Sequence, residues 1–295
     1  MPSWQDFQPF IVTGLALGGV YALSGVGMVV LYRATGVLNL ATGAIGAMGA
    51  LIAWALINDH GWPQGVAYLV CVLFGGVVTL AYGMAFGPPL AGRDPLVKAV
   101  ATLGLALILL GLMSLIWSDK ARSMILPTTT EAFAIGTVHV TWTQVIGVAL
   151  GIVVTGGAAA FLRYTKLGTG MRALADDREI TASLGVPVRR VEAAAWLGTG
   201  ILSGASGLLL SNLVGLDAAT LTFLVISSVA AALIARLSSL FGTLLAAIFI
   251  GLVNAMATPI LSISQYRDMA PFVIAVIALL FMSRKGNLAT ARGAR

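Results

Sequence analysis

Apolar residues run along this chain in long stretches. They lack the polar positions that recur every few residues on the outer face of a soluble helix. Scanned in a window of about 19 residues, the pattern predicts about nine spans. These lie near 10–32, 36–57, 63–87, 96–117, 141–163, 193–214, 219–235, 241–258 and 269–283. Several are short and the second is rich in glycine, so eight or ten spans also fit the pattern. Two stretches break it. Segment 118–140 is predicted as an external loop, and its "EAFAIGTVHV" alternates around Gly136-Thr137 as a short hairpin does. Segment 164–192, which overlaps "TKLGTGMRALADDREITASLGVPVRRVEAA" at 165–194, crowds charges together amid apolar sequence.

That insert is predicted to form one helix of about four turns, begun by Thr169 or Gly170, with good helix formers through its middle. Gly185 suits the position just past a helix end, and Pro187 stops further propagation. Met171, Leu174 and Ala175 share one side; Ile180 and Leu184 are displaced around the helix. Asp176, Asp177, Arg178 and Glu179 interrupt the apolar surface. A helix lying on lipid is more uniformly basic. Mixed charge with modest apolar content suits a solvated connector or docking into a groove of another protein.

Composition narrows the class. The chain is 59% hydrophobic and 9% charged, against about 25% charged in soluble domains. So few charges cannot cover a soluble fold of this length, and the expectation is an all-α polytopic membrane protein forming a single transmembrane domain over 1–295. "MPSWQDFQPF" lacks the basic start of a cleaved signal peptide, so the first run reads as a retained span.

Charge sets direction. With the insert placed in the cytoplasm, alternation puts fourteen of the seventeen Lys and Arg residues inside and leaves Lys120, Arg122 and Arg267 outside. The N-terminus is then outside and the C-terminus inside. A net charge of +6 in such a chain reports orientation before it suggests nucleic acid.

Absences exclude several chemistries. No acidic or basic residue falls near the centre of a predicted span, which disfavours a proton relay. Sodium held by backbone carbonyls stays open, so a stand-alone facilitator or sodium-coupled carrier is the rival reading. None of the four lysines follows the glycine of a phosphate-binding loop. His60, His139 and the single Cys71 are too scattered to argue a metal site, and no catalytic cluster sits at depth. Gly14/Gly18, Gly147/Gly151 and Gly200/Gly204 are small-residue pairs, and Gly43, Gly46 and Gly49 repeat every third residue. Such spacing lets helix backbones approach closely. Tyr21, Ser24, Asn39, Thr42 and Asn254 are the polar groups nearest the span interiors, as path residues or as interhelical hydrogen-bonding groups.

"LGTGMRALADDREITASLGVPVRRV" resembles the cytoplasmic coupling loop of ABC-type importer permeases. "GLALGGVYALSGVGMVVLYRATGVLNLATGAIGAMGA" resembles the first two spans of the branched-chain amino-acid permeases, and "QYRDMAPFVIAVIALLF" resembles their last. Order and spacing agree over most of the chain, and the likeness is to the shorter of the two permease subunits. The resemblance implies a translocation path shared with a second, different permease subunit. Two separate ATP-binding subunits would carry ATP and magnesium, so this chain would hold no cofactor. A solute-binding protein would work outside a bacterial inner membrane. It also implies that the helix at about 169–185 meets an ATPase subunit through Met171, Arg172, Leu174, Asp176, Asp177, Glu179, Leu184 and Gly185. The chain departs from the family's pattern in three places. The run from Asn39 to Ala44 lacks the usual His and Glu; "ALIARLSSLFGT" replaces a Gly-rich loop; Ser283-Arg284-Lys285-Gly286 replaces Pro-Thr-Gly. These departures bear on the solute, for which urea, short amides and aromatic acids stand beside leucine, isoleucine and valine.

Overall fold

Helix α1 (Trp4–Thr35) runs through the middle of the molecule, with 89% of its most apolar window buried. Small residues make this placement feasible: Gly14, Ala16, Gly18, Gly19 and Ala22 leave its surface low enough for neighbours to close on every side. The computed structural model describes residues 4–118, 120, 122–135, 138–260 and 269–277. Around α1 lie α2 (Thr42–Asn58), α3 (Gln64–Leu90), α4 (Pro95–Trp117), α6 (Trp142–Tyr164), α9 (Val188–Leu213) and α12 (Leu240–Met256). Shorter elements fill the connections: α5 (Pro127–Thr130), strands β1 (Ala132–Ile135) and β2 (Val138–Thr141), α7 (Lys166–Asp176), α8 (Arg178–Ser183), α10 (Ala218–Phe223) and α11 (Val225–Ile234). The strands pair antiparallel, Ala132 opposite Thr141, as the alternating pattern predicts.

Among the described residues, five helices are long and apolar enough to cross a membrane: 7–35, 64–90, 95–117, 142–164 and 188–213. This is a multi-pass membrane protein. The second, seventh and eighth predicted spans are shorter apolar helices. The ninth is helical over 270–277 and then passes outside the described residues, as do Arg267, Ser283 and the C-terminal basic residues. Helices α3, α4 and α6 form an apolar outer surface; Val77, Leu115 and Val153 are each more than 60% exposed there. Apolar side chains pointing away from the bundle on successive turns are what a lipid solvent selects.

The glycine pairs are consumed inside the chain. A Cβ on Gly18 would lie 2.5 Å from the Cα of Ile248 in α12, and one on Gly151 2.8 Å from the Cα of Gly19. Gly200 meets Gly75 backbone to backbone, and Gly207 meets Gly46 likewise, so α9 lies directly against α3 and α2. Cys71 is fully buried at the same seam, its thiol donating to the carbonyl of Gly204 at 3.4 Å.

Two elements depart from the sequence pattern. The predicted second span from 36 begins as a helix only at Thr42. Gly36 at φ +67° ends the run of α1, and residues 37–41 cross the interior without helical structure. Buried Thr102 meets the exposed backbone polarity there: its hydroxyl accepts from the Leu40 amide and donates to the Leu38 carbonyl, both at 3.0 Å. The predicted seventh span is broken at Leu224 into α10 and α11. Asp217 starts α10 by accepting the Thr220 amide at 2.7 Å.

The two ends of the bundle differ. At one, called here the loop end, Arg33 donates to the Ser238 carbonyl at 3.4 Å, and Lys98, α7, α8 and the start of α9 gather. At the other, the hairpin end, Arg122 pairs through its backbone with Leu216 and covers the Trp54 ring at 5.0 Å. There Asn212 donates to the Met124 carbonyl at 2.8 Å.

Candidate functional site: an uncharged cleft and a pinned loop

The break between α10 and α11 opens a cleft of about 680 Å³ toward the hairpin end. The first half of α1, the end of α9, α10, the start of α11, the end of α12 and Pro271-Phe272 line it. Its polar groups are Thr13, Tyr21, Thr220, Ser227, Asn254 and Thr258; Phe10, Phe223 and Phe272 supply aromatic wall. Among the described residues, no charged side chain lines it. Leu224 forms part of its floor and also borders a void of about 10 Å³ deeper in the bundle, large enough for roughly one water. Ser24 and Ser206 share a 2.6 Å hydrogen bond at that void, beside Thr42 and Ser228.

The five polar residues singled out from sequence therefore separate into three places. Tyr21 and Asn254 share the cleft. Ser24 and Thr42 line the narrow void beyond it. Asn39 lies apart: its Oδ1 accepts the Ala41 amide at 3.0 Å and shapes the turn into α2. Thr13, Thr220, Ser227 and Thr258 were not visible as site residues from hydropathy. The available signal was Asp217-x-x-Thr220, a helix-start pattern inside an otherwise apolar run.

The polar insert is two helices, which corrects the expectation of one. It begins earlier than expected, with the Thr165 hydroxyl accepting the Gly168 amide at 2.9 Å. Asp177 takes an extended backbone (φ −153°, ψ 117°) and ends α7. Its carboxylate then accepts the Ile180 amide at 2.9 Å and starts α8. An aspartate is a better cap than a helix interior residue, because its short side chain competes for nearby amides. The far end follows the sequence reading. Gly185 sits at φ +83°, Gly185 N–H donates to Ala182 at 3.1 Å, and Val186 N–H reaches back to Thr181 at 3.4 Å. This paired closure needs a residue that tolerates the left-handed region.

Met171 and Leu174 turn inward and are buried with Leu162, Val191 and Trp196 in the core of the loop end. Arg172, Asp176, Asp177, Glu179 and Leu184 are exposed, as is Gly185. Ile180 is 60% and Leu184 77% exposed, so α8 presents apolar side chains away from the bundle. Arg178 forms a 3.0 Å ion pair with Glu192 of α9. No cluster of metal-ligating side chains occurs among the described residues.

Comparison with known proteins places the chain in a transport family. The family described as "Branched-chain amino acid transport system / permease component" matches residues 10–282. The high-affinity branched-chain amino acid transport system permease protein BraD of Pseudomonas aeruginosa is 25% identical, over 95% of each chain. The corresponding LivH of Escherichia coli K12 is 24% identical over 94% of each. A probable branched-chain amino acid transport permease protein LivH from Methanocaldococcus jannaschii is 26% identical over 80% of this chain and 76% of its own. No solved structure matches significantly. With a family match that spans both the cleft and the capped loop, the chain belongs to the branched-chain amino acid transport system permease components.

Proposed function

We propose that this chain is one of two permease subunits of an ATP-driven importer in a bacterial inner membrane, carrying branched-chain or related amino acids. A second permease completes the path. Separate ATPase subunits, which bind ATP and magnesium, dock on the exposed face of α8, and an external binding protein delivers solute at the hairpin end. About nine segments lie in the apolar layer, with the N-terminus outside and the C-terminus inside, following the basic bias of the loop end. In this reading Tyr21 and Asn254 contact the solute, and Ser24 and Thr42 mark the constriction that opens. Asn39 supports the path from behind. Exposed Arg172, Asp176, Asp177, Glu179 and Leu184 face the ATPase, while Met171 and Leu174 anchor the loop to the bundle.

The observation that carries this reading is the pairing of an uncharged cleft with a capped, outward-facing loop in a chain of this family. An uncharged path lined by hydroxyls and aromatic rings suits a zwitterion whose energy of transport is supplied elsewhere. No charge relay is then needed within the bundle. The test is gentle solubilisation from native membranes and capture of this chain, followed by uptake of labelled leucine into vesicles. Co-purifying ATPase subunits, a second permease and ATP-dependent uptake are the expected result. A chain that purifies alone and moves solute without ATP would overturn it in favour of a stand-alone carrier.

A further inference from the structure

Helix α8 is joined to the rest of the molecule by two backbone pivots. One is the extended Asp177; the other is the left-handed Gly185 followed by Pro187. The helix packs mainly on α7, and its Ile180 and the Leu184 that follows it are exposed. Thr181 of α8 is buried, and Arg178 to Glu192 at 3.0 Å is the direct polar tie from α8 to α9, the one ion pair among the described residues. It connects the first residue of α8 to the first turns of α9. Glu192 is well shielded, with its side chain 14% exposed, and Lys98 of α4 is the second cation within electrostatic reach of its carboxylate. Arg178 is the cation within ion-pair distance of that carboxylate among the described residues.

Helix α9 is built to pass motion on. Its 26 residues make a rod of about 39 Å at 1.5 Å per residue. Gly200 meets Gly75 and Gly207 meets Gly46 backbone to backbone, so α9 lies directly against α3 and α2 at those two points. At its far end Leu213 and Val214 line the cleft. One rigid helix therefore runs from the ion pair to the solute site.

We propose that Glu192 is a positioning residue that transmits displacement of α8 into α9, with Arg178 as the grip. The proposal rests on the importer reading. The ion pair matters here for what it moves rather than for stability, since an ion pair with a partly exposed arginine contributes little to folding.

The experiment uses the whole transporter in proteoliposomes and reads solute moved per ATP hydrolysed. Glu192→Gln and Arg178→Met are each expected to lower that ratio by about tenfold, a typical coupling between sites, while the ATPase subunits still co-purify. The exchange Arg178→Glu with Glu192→Arg is expected to restore most of the ratio. Arg189→Gln, an exposed neighbour on α9, is expected to leave it unchanged. A wild-type ratio in both single variants overturns the tie. Single variants that lower the ratio with no rescue by the exchange overturn it as well, because loss is then structural. Absence of ATPase subunits from the wild-type preparation overturns the importer reading itself, and the tie with it.

Discussion

Replacing Gly185 with valine separates backbone strain from steric contact at the end of α8. Gly185 sits at φ +83°, and a Cβ built there meets nothing within 4 Å. The only penalty is therefore conformational: the left-handed region costs an L-residue about 1–2 kcal/mol, and a β-branched one sits at the upper end. That energy opposes the closure in which Gly185 and Val186 reach back to Ala182 and Thr181. If the closed turn is the form that docks, its population falls about 5- to 30-fold, and apparent affinity for the ATPase subunits falls with it. Binding of purified ATPase subunits to nanodisc-embedded permease measures this directly. Gly185→Asn is expected to lose much less, since asparagine tolerates this conformation. Thermal unfolding of the bundle is expected to stay at the wild-type value in both variants, because the turn is exposed. Wild-type affinity in the valine variant would refute the assignment of this turn to docking. Equal losses for Asn and Val would refute the strain argument.

Other consequences can be tested on the same preparation. Gly200→Ala drives a methyl into the Gly75 backbone, which cannot yield, and is expected to cost about 1–3 kcal/mol and lower the melting temperature in detergent. Gly198→Ala, two residues away with open space, is expected to be neutral or slightly stabilising. Asp217→Ala removes the cap of α10, worth about 0.5–2 kcal/mol, and is expected to weaken solute uptake by loosening the cleft wall; Asp217→Asn keeps an acceptor and is expected to retain it. Asn39→Ala and Asn254→Ala are expected to part company: the first lowers thermal stability with uptake per folded molecule maintained, the second raises KM for uptake with stability little changed.

Membrane class was legible in the sequence, because lipid imposes a composition rule over every span and no tertiary knowledge is needed to apply it. The hairpin at 132–141 was legible for a similar reason: period-two alternation is a local property. So was the glycine turn at 185, where a helix former gives way to glycine and then proline. The small-residue pairs announced close packing, and Gly14, Gly18, Gly151 and Gly200 all provide it. Family resemblance added the reading of the polar insert, which periodicity alone left between connector and docking element.

What the chain's pattern could not decide was where apolar runs stop being regular. Residues 37–41 are apolar enough to read as helix, yet they cross the interior unwound because Thr102, more than sixty residues later, satisfies their backbone. The break at Leu224 and the cleft it opens depend on α10 packing on α2 and α4, contacts no local window contains. Equally, Asp177 read as a helix interior position and proved to be a cap, while Met171 and Leu174, which the sequence places on one side of the helix, are buried in a core supplied by α6 and α9. Hydropathy measures transfer of each residue into an apolar medium, so it determined which segments leave water. Backbone hydrogen bonds and side-chain packing between distant segments are cooperative. Only the tertiary structure decided which of those segments could afford to unwind, and so where the cleft and the capped loop lie.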